Sequence, residues 1–268
     1  MRARRRFGQH FLESAWVAKL VDAIAPAATD RFLEIGPGRG AITAPLSARA
    51  KHLVAVEVDR DLAAALVARE LVNVTVISAD VLEIDLVELL QRELGASPER
   101  QVRVVGNLPY NISSPILFRL LHAAASTGAI ADATLMLQEE VAQRLLASPG
   151  TGEYGVLTIQ TALGADVSRE LSLPPGAFRP MPKVRSAVVT LRFRPPTVAI
   201  RDRAIVVELV RSVFTQRRKT MANALASFAA LRGQDPKAAL AHADIDPRRR
   251  PETLQLVEFA RLAGVFGA

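Results

Sequence analysis

The sequence predicts an α/β domain, with a largely parallel sheet covered by helices on both faces, followed by a small all-helical domain. Three observations lead there. Short apolar runs alternate with helix-patterned stretches between residues 31 and 191, the signature of strands joined by crossover helices. Glycines gather where the first of these runs meets the first helix. Beyond Arg194 to Pro196 only helical periodicity remains.

Before the sheet, residues 17–28 are broken by Lys19 and Asp22 and read as an amphipathic helix. Residues 31–35 form the first strand, ending at Gly36, and a helical pattern runs from about Ile42 to Ala50. Residues 53–58 are the second strand and 61–69 a helix with Ala and Leu at helical spacing. Residues 74–77 and 102–105 are the third and fourth strands, and 133–137, 165–171 and 186–191 are further strand candidates. Helices are expected over 204–214, 219–231, 236–243 and 253–266. The expected division is therefore residues 1–195 for the sheet domain and 196–268 for the helical one.

Composition narrows the function. Half of the 268 residues are hydrophobic, enough for a packed core, and no run is long enough to cross a bilayer. No signal-peptide core follows the basic N-terminus, and cysteine is absent, so a cytoplasmic address is expected. Without cysteine there is neither a disulfide nor a thiolate zinc site, and the four scattered histidines have no metal-ligand spacing. The net charge of +7 favours a polyanionic partner.

The glycine cluster, Glu34 to Gly40, sits at a strand-to-helix turn, where glycine lets the backbone approach a ligand closely. Gly36 and Gly38 are the candidate contacts. At the end of the second strand, Glu57 can accept hydrogen bonds from both hydroxyls of a ribose. Together they fit a nucleoside-containing cofactor. The dinucleotide fingerprint places its third glycine five residues after the first, whereas Gly36 and Gly40 are four apart. The Glu-x-Gly-x-Gly-x-Gly form instead resembles the first motif of S-adenosylmethionine-dependent methyltransferases. Asp80, after the third strand, is either an acceptor for the cofactor's adenine amino group or a helix-capping turn residue.

Residues 106–110, Gly-Asn-Leu-Pro-Tyr, follow the fourth strand. The lone pair of an adenine amino nitrogen is spread into the ring, which makes it a poor nucleophile. Hydrogen bonds accepted from its protons favour tetrahedral geometry at nitrogen. The side-chain oxygen of Asn107 and the carbonyl of Leu108 can supply them. Pro109 fixes the turn and adds no competing N–H, and Tyr110 offers a face for a base to stack on. The sulfonium leaving group is already activated, so no strong base is needed and positioning carries the rate. Read as local structure alone, the same residues make a β-turn.

With this turn in place the resemblance becomes specific. The chain resembles the ribosomal RNA adenine dimethyltransferases, which include the small-subunit kasugamycin-sensitivity enzymes and the large-subunit erythromycin-resistance enzymes. The matching stretches are residues 7–12, 34–40, 57–59, 79–80, 106–113, 137–141, 178–184 and 214–220, in family order over nearly the whole chain. The resemblance implies a Rossmann-like sheet binding S-adenosylmethionine through His10, Leu12, Gly36, Glu57, Asp80 and Asn107. The family usually carries Asn where this chain has His10, which leaves the side-chain contact at that position open. Phe178 is either a second stacking surface for the adenine or an ordinary core residue. Residues 106–113 and the long helical tail are more similar to the small-subunit enzymes, which implies dimethylation of two adjacent adenines in the 3′-terminal hairpin of 16S rRNA and a role in small-subunit biogenesis. The alternatives are a large-subunit enzyme of the macrolide-resistance type and a non-catalytic ribosome assembly factor. An NAD-linked oxidoreductase would share the glycine turn and Glu57 but would give Asn107 to Tyr110 no task.

Cations form three groups suited to phosphate contacts: an arm at Arg2 and Arg4, Arg5 and Arg6; Arg211, Arg217, Arg218 and Lys219; and Arg248, Arg249 and Arg250. The expected partner is the 16S rRNA of a small-subunit precursor, bound by a monomer without metal or membrane.

Overall fold

The computed structural model describes residues 10–267. The expected RNA contacts Arg4, Arg5 and Arg6 lie outside the described residues. The chain forms two compact units: residues up to Ala142 together with Asp166–Arg194, and Gln143–Ala165 together with the residues from Pro195 onward.

The first unit opens with strand β1 (Phe11–Leu12) and helix α1 (Ser14–Ile24). It then alternates β2 (Arg31–Ile35), α2 (Thr43–Ser47), β3 (His52–Glu57), α3 (Arg60–Val67), β4 (Val74–Ser78), α4 (Leu86–Leu94), β5 (Val102–Asn107), α5 (Ser113–Thr127) and β6 (Ile130–Gln138). After α6 (Glu139–Leu145) the chain enters the second unit for α7 (Val156–Ala162), then returns through β7 (Ala165–Leu173), β8 (Phe178–Arg179) and β9 (Ser186–Phe193).

Seven strands form one sheet in the order β4-β3-β2-β5-β6-β9-β7. Strands β2 to β6 are parallel, and β9 runs antiparallel to β6. Leu33, Val54, Val104 and Leu135 have no exposed surface, which is why these strands read as continuous apolar runs: both faces are covered. Successive strands step outward from β2 through β3 to β4, then from β5 to β6 on its other side. The order therefore reverses between β2 and β5, where an open α/β sheet leaves a crevice at the carboxyl ends of its strands.

The opposite end of the sheet is clamped by Arg103 in β5. Its guanidinium pairs with Asp30 at 2.8 Å and Asp132 at 3.0 Å, and donates to the carbonyls of Ile24 and Ala25. Burial works against the Arg103 charge, but the two carboxylates outweigh it and hold its pKa above the ordinary guanidinium value. One end of the sheet is tied shut, and the other carries the loops.

The second unit adds α8 (Arg203–Phe214), α9 (Met221–Ala224), α10 (Ala226–Ala230), α11 (Pro236–His242) and α12 (Leu256–Phe266). Its C-terminal part begins at Pro195, at the expected boundary, but it also takes residues 143–165, with α7. Tyr154, Ile159 and Leu163 from that stretch are buried with Val206, Leu209, Val210 and Phe259. The Tyr154 hydroxyl donates to the Leu254 carbonyl at 2.8 Å. The expected single cut at residue 195 is corrected accordingly: apolar residues on α7 find their complement among the C-terminal helices. The helix expected over 219–231 is two short helices, α9 and α10.

Among the described residues, no helix is long and apolar enough to cross a membrane, and no group of three or more His, Asp or Glu is placed to hold a metal.

Candidate active site

Four strands end at one cavity of about 250 Å³. After β2, the chain turns on Gly36 and Gly38, both at positive φ (68° and 58°), which only glycine adopts without strain. That turn aims the Gly38 N–H at Glu57 Oε2, 2.9 Å away, while Asp59 N–H donates to Oε1 at 2.9 Å. Both carboxylate oxygens of Glu57 are thus held by backbone, and each keeps a further lone pair for a hydroxyl. Burial raises the Glu57 pKa above the usual carboxylate value, and these two N–H bonds partly offset it.

After β4, Asp80 lines the same cavity and accepts from Leu82 N–H at 2.8 Å through Oδ1. It serves the turn, and Oδ2, which takes no hydrogen bond from the described residues, is the oxygen available to a ligand. Sequence reading missed what supports this loop. Arg119, on α5, donates to the carbonyls of Leu82 and Ile84; a lone arginine on a helix gives no sign of a partner so far away in sequence. It also missed the apolar walls, Val58, Val81 and Ile112. Val58 is 41 % exposed, a strand-end apolar group left uncovered beside Glu57.

The end of β5 needs glycine for a different reason. A Cβ on Gly106 would lie 2.8 Å from the Ile35 carbonyl oxygen, so only glycine lets β5 approach β2 here. Asn107 follows, its Nδ2 donating to the His10 carbonyl at 2.8 Å. A carbonyl only accepts, so this bond fixes which end of the amide is nitrogen. Oδ1 then takes no hydrogen bond from the described residues, and the same holds for the Leu108 carbonyl. Asn107, Leu108, Pro109 and Tyr110 all line the cavity. The Tyr110 hydroxyl shares a hydrogen bond with Ser186 at 2.7 Å, and burial raises its pKa.

The cavity is roofed by β1, which pairs antiparallel with β8 in a separate two-stranded ribbon. His10, Phe11 and Leu12 line the cavity. The Arg39 guanidinium lies 4.2 Å over the Phe11 ring, closing the strand down on the glycine turn. Neither two-residue strand was identified from sequence, since so short a segment has no readable period.

Other expected residues lie elsewhere. Phe178 has no exposed surface, packs in the core with Leu12, Phe32 and Val188, and does not line the cavity. Of the two roles open to it, the structure places it as a core residue. The expected cationic groups divide. Arg217 donates to the Gly152 carbonyl at 3.0 Å and faces Glu252 at 3.6 Å. Arg249 grips Glu258 at 2.5 Å and donates to the Thr253 carbonyl. Both hold their own unit together. Arg248 is exposed and paired with Asp246 at 3.0 Å, while Arg218, Lys219 and Arg250 are not fully buried, Arg218 and Lys219 lying on the turn after α8 and Arg250 just before residue 251.

A buried carboxyl lies next to the site. Glu34, in β2, is 1 % exposed, and its Oε2 has no hydrogen-bond partner among the described residues. Burial pushes its pKa up to about 7, with the Glu57 charge adding to the effect.

The residues present fit a nucleoside-linked methyl donor: a doubly held carboxylate for a ribose, apolar walls for a base, and Asp80 for an amino group. A Rossmann-like sheet with this cleft at its switch point, closed by an Asn-Leu-Pro-Tyr turn, defines an amino-group methyltransferase. Known proteins narrow the class to a family. A family model described as ribosomal RNA adenine dimethylase matches residues 1–265. The ribosomal RNA small subunit methyltransferase A of Xanthomonas euvesicatoria pv. vesicatoria is 44 % identical over 267 residues, spanning 98 % of this chain and 96 % of the relative. The protein of the same name from Geobacter metallireducens is 43 % identical over 268 residues, spanning 98 % and 95 %. The chain belongs to the ribosomal RNA adenine dimethylase family. Among solved structures, a dimethyladenosine transferase from Plasmodium falciparum has the same fold, with a TM-score of 0.74 at 24 % identity over 94 % of this chain and 96 % of that one. The 23S rRNA methyltransferase ErmE superposes with a TM-score of 0.66 at 26 % identity, over 96 % of this chain and 100 % of that one.

Proposed function

We propose that this enzyme dimethylates the exocyclic nitrogens of two adjacent adenines in the 3′-terminal hairpin of 16S rRNA, with S-adenosylmethionine as donor. It does so in the cytoplasm as a monomer, on a precursor of the small subunit. The observation that carries this reading is the amide of Asn107. Its nitrogen is held by the His10 carbonyl, which turns its oxygen into a fixed acceptor beside an unused carbonyl, that of Leu108.

Glu57, Asp80 and the glycine turn would hold the donor's nucleoside, and Leu12 with the main chain of His10 would flank its methionine end. The bound donor supplies a methyl group on a sulfonium whose leaving group is already activated. Asn107 Oδ1 and Leu108 O accept from the two amino protons of the adenine, which concentrates the nitrogen lone pair and points it along the transfer axis. Preorganised acceptors of this kind need no reorganisation during the reaction. Pro109 keeps the turn rigid, and Tyr110 stacks on the base. After transfer the proton leaves to solvent. The second methylation uses the same acceptors, with one amino proton remaining. The identity with small-subunit relatives supports the 16S assignment over the 23S one.

The test is methylation of small-subunit particles lacking the modification, using labelled donor, followed by mapping of the label. Label on two adjacent adenines near the 3′ end of 16S rRNA is the expected outcome. No label in these particles, with label instead entering 23S rRNA or DNA offered in parallel reactions, would overturn the reading.

A further inference from the structure

At residue 10 the roof segment touches both ends of the Asn107–Tyr110 turn. Its carbonyl accepts from Asn107. Its imidazole stacks on Tyr110, with ring centroids 5.5 Å apart and planes inclined by 23°. The ring is itself tethered: Nδ1 lies 2.7 Å from the Pro180 carbonyl, and because that oxygen only accepts, Nδ1 carries the hydrogen. The tether lies in the segment that pairs β8 with β1, where Phe11 faces Arg179 and Glu13 N–H donates to the Ala177 carbonyl at 2.9 Å. Tyr110 is pinned independently at its hydroxyl by Ser186, the first residue of β9. One face of Tyr110 is therefore backed by a ring tethered at Nδ1, and its edge is anchored.

From this we infer that His10 is a positioning residue for the target base rather than a side-chain ligand of the methyl donor. The imidazole occupies one face of Tyr110, so the adenine takes the other, giving a stack of imidazole, phenol ring and base. The stack holds the phenol plane at the angle that places the adenine amino group between Asn107 Oδ1 and Leu108 O. This inference rests on the reading that the turn receives an adenine. It adds that the substrate surface is made in part by a residue outside the turn, beside a strand that sequence periodicity does not reveal. Aromatic stacking of this kind accounts for roughly a tenfold effect on a step that needs the aligned geometry.

The variants His10→Ala, His10→Asn and His10→Phe test it, because all three keep the main-chain carbonyl on Asn107 and change only the ring. Donor affinity is measured by calorimetry with S-adenosylmethionine on the protein alone. Base stacking is measured without donor, as fluorescence quenching of a hairpin RNA carrying 2-aminopurine at the target position. Methyl transfer gives kcat and the KM for RNA. His10→Ala and His10→Asn are expected to keep donor affinity within twofold, to lose most of the quenching and to lower kcat about tenfold with little change in KM. His10→Phe is expected to regain most of both. The inference is overturned if the losses fall on donor affinity, if quenching and kcat survive in His10→Ala, or if His10→Phe is no better than His10→Ala. If Asn107→Ala still methylates RNA at the wild-type rate, the underlying reading of the turn fails instead, a result separable from all of these.

Discussion

The sheet unit and the helical unit treat their expected functional residues in opposite ways. In the first, Gly38, Glu57, Asp80 and Asn107 come from four different strand ends and line one cavity. In the second, cations adjacent in sequence part company: Arg249 is bonded to Glu258 and to the Thr253 carbonyl, whereas its neighbour Arg250 is exposed. A strand-to-helix turn fixes where its residues point, because the sheet register fixes the strand end. A run of arginines carries no such constraint, and each member is claimed by whichever carboxylate or carbonyl the packing brings near. Motif spacing therefore identifies a site, while charge clustering identifies only a tendency.

The largest way to break this contrast is at Asn107. Replacing it with Ala should cut methyl transfer about a thousandfold, roughly 4 kcal/mol of barrier. Its thermal unfolding should move little, since one hydrogen bond is removed. A rate within tenfold of wild type would remove the turn from the chemistry.

Next comes Glu34, buried near the site. Its folded pKa of about 7 lies above the ordinary 4.5, so the folded state binds its proton more tightly than the unfolded state does. The stability this contributes is complete below about pH 4.5 and is lost as pH climbs through 7. Glu34→Gln, permanently neutral, should therefore be more stable than wild type at pH 8.5 by up to about 3 kcal/mol more than it is at pH 4. Equal gaps at both pH values would show that Glu34 does not hold a proton in the folded protein.

Glu57→Gln sharpens the cofactor side. Loss of a charged acceptor toward two hydroxyls should weaken S-adenosylmethionine binding about thirtyfold by calorimetry, roughly 2 kcal/mol. Unchanged affinity would place the ribose elsewhere.

In the helical unit, Arg249→Ala should cost about 1–2 kcal/mol in urea unfolding, a value reduced by the partial exposure of the pair, while Arg250→Ala should stay within about 0.5 kcal/mol. The smallest effect concerns RNA. Neutralising Arg218, Lys219 and Arg250 together should flatten the logarithmic dependence of RNA affinity on salt by about 0.7–0.9 for each phosphate that these cations pair with. An unchanged slope would leave them without a part in RNA binding.

Strands β2, β3, β5 and β6 were legible because they are buried for most of their length and so read as apolar runs between turn residues. The glycine turn, Glu57 and the Asn107 turn were legible because each follows such a run directly. Four things were not. β1 and β8 are two residues each and exist only through pairing with one another. Residues 143–165 join the helical unit because of apolar partners more than forty residues away, such as Val206 and Leu209. Phe178 could not be assigned between stacking surface and core until its neighbours were known. Arg119 and Arg103 gave no local sign of the carbonyls and carboxylates they hold.

The sequence by itself determined the class of chemistry here: periodicity set the sheet, and short motifs at strand ends supplied a carboxylate, a glycine turn and an amide in fixed order. Only the tertiary structure decided which amide atom faces a substrate, which arginines are committed to carboxylates and carbonyls of their own unit, and that His10 backs Tyr110. The physical reason is range. Strand period and turn geometry act within a few residues, whereas hydrogen bonds and ring stacking such as His10 to Asn107, Tyr110 and Pro180 join segments about a hundred residues or more apart.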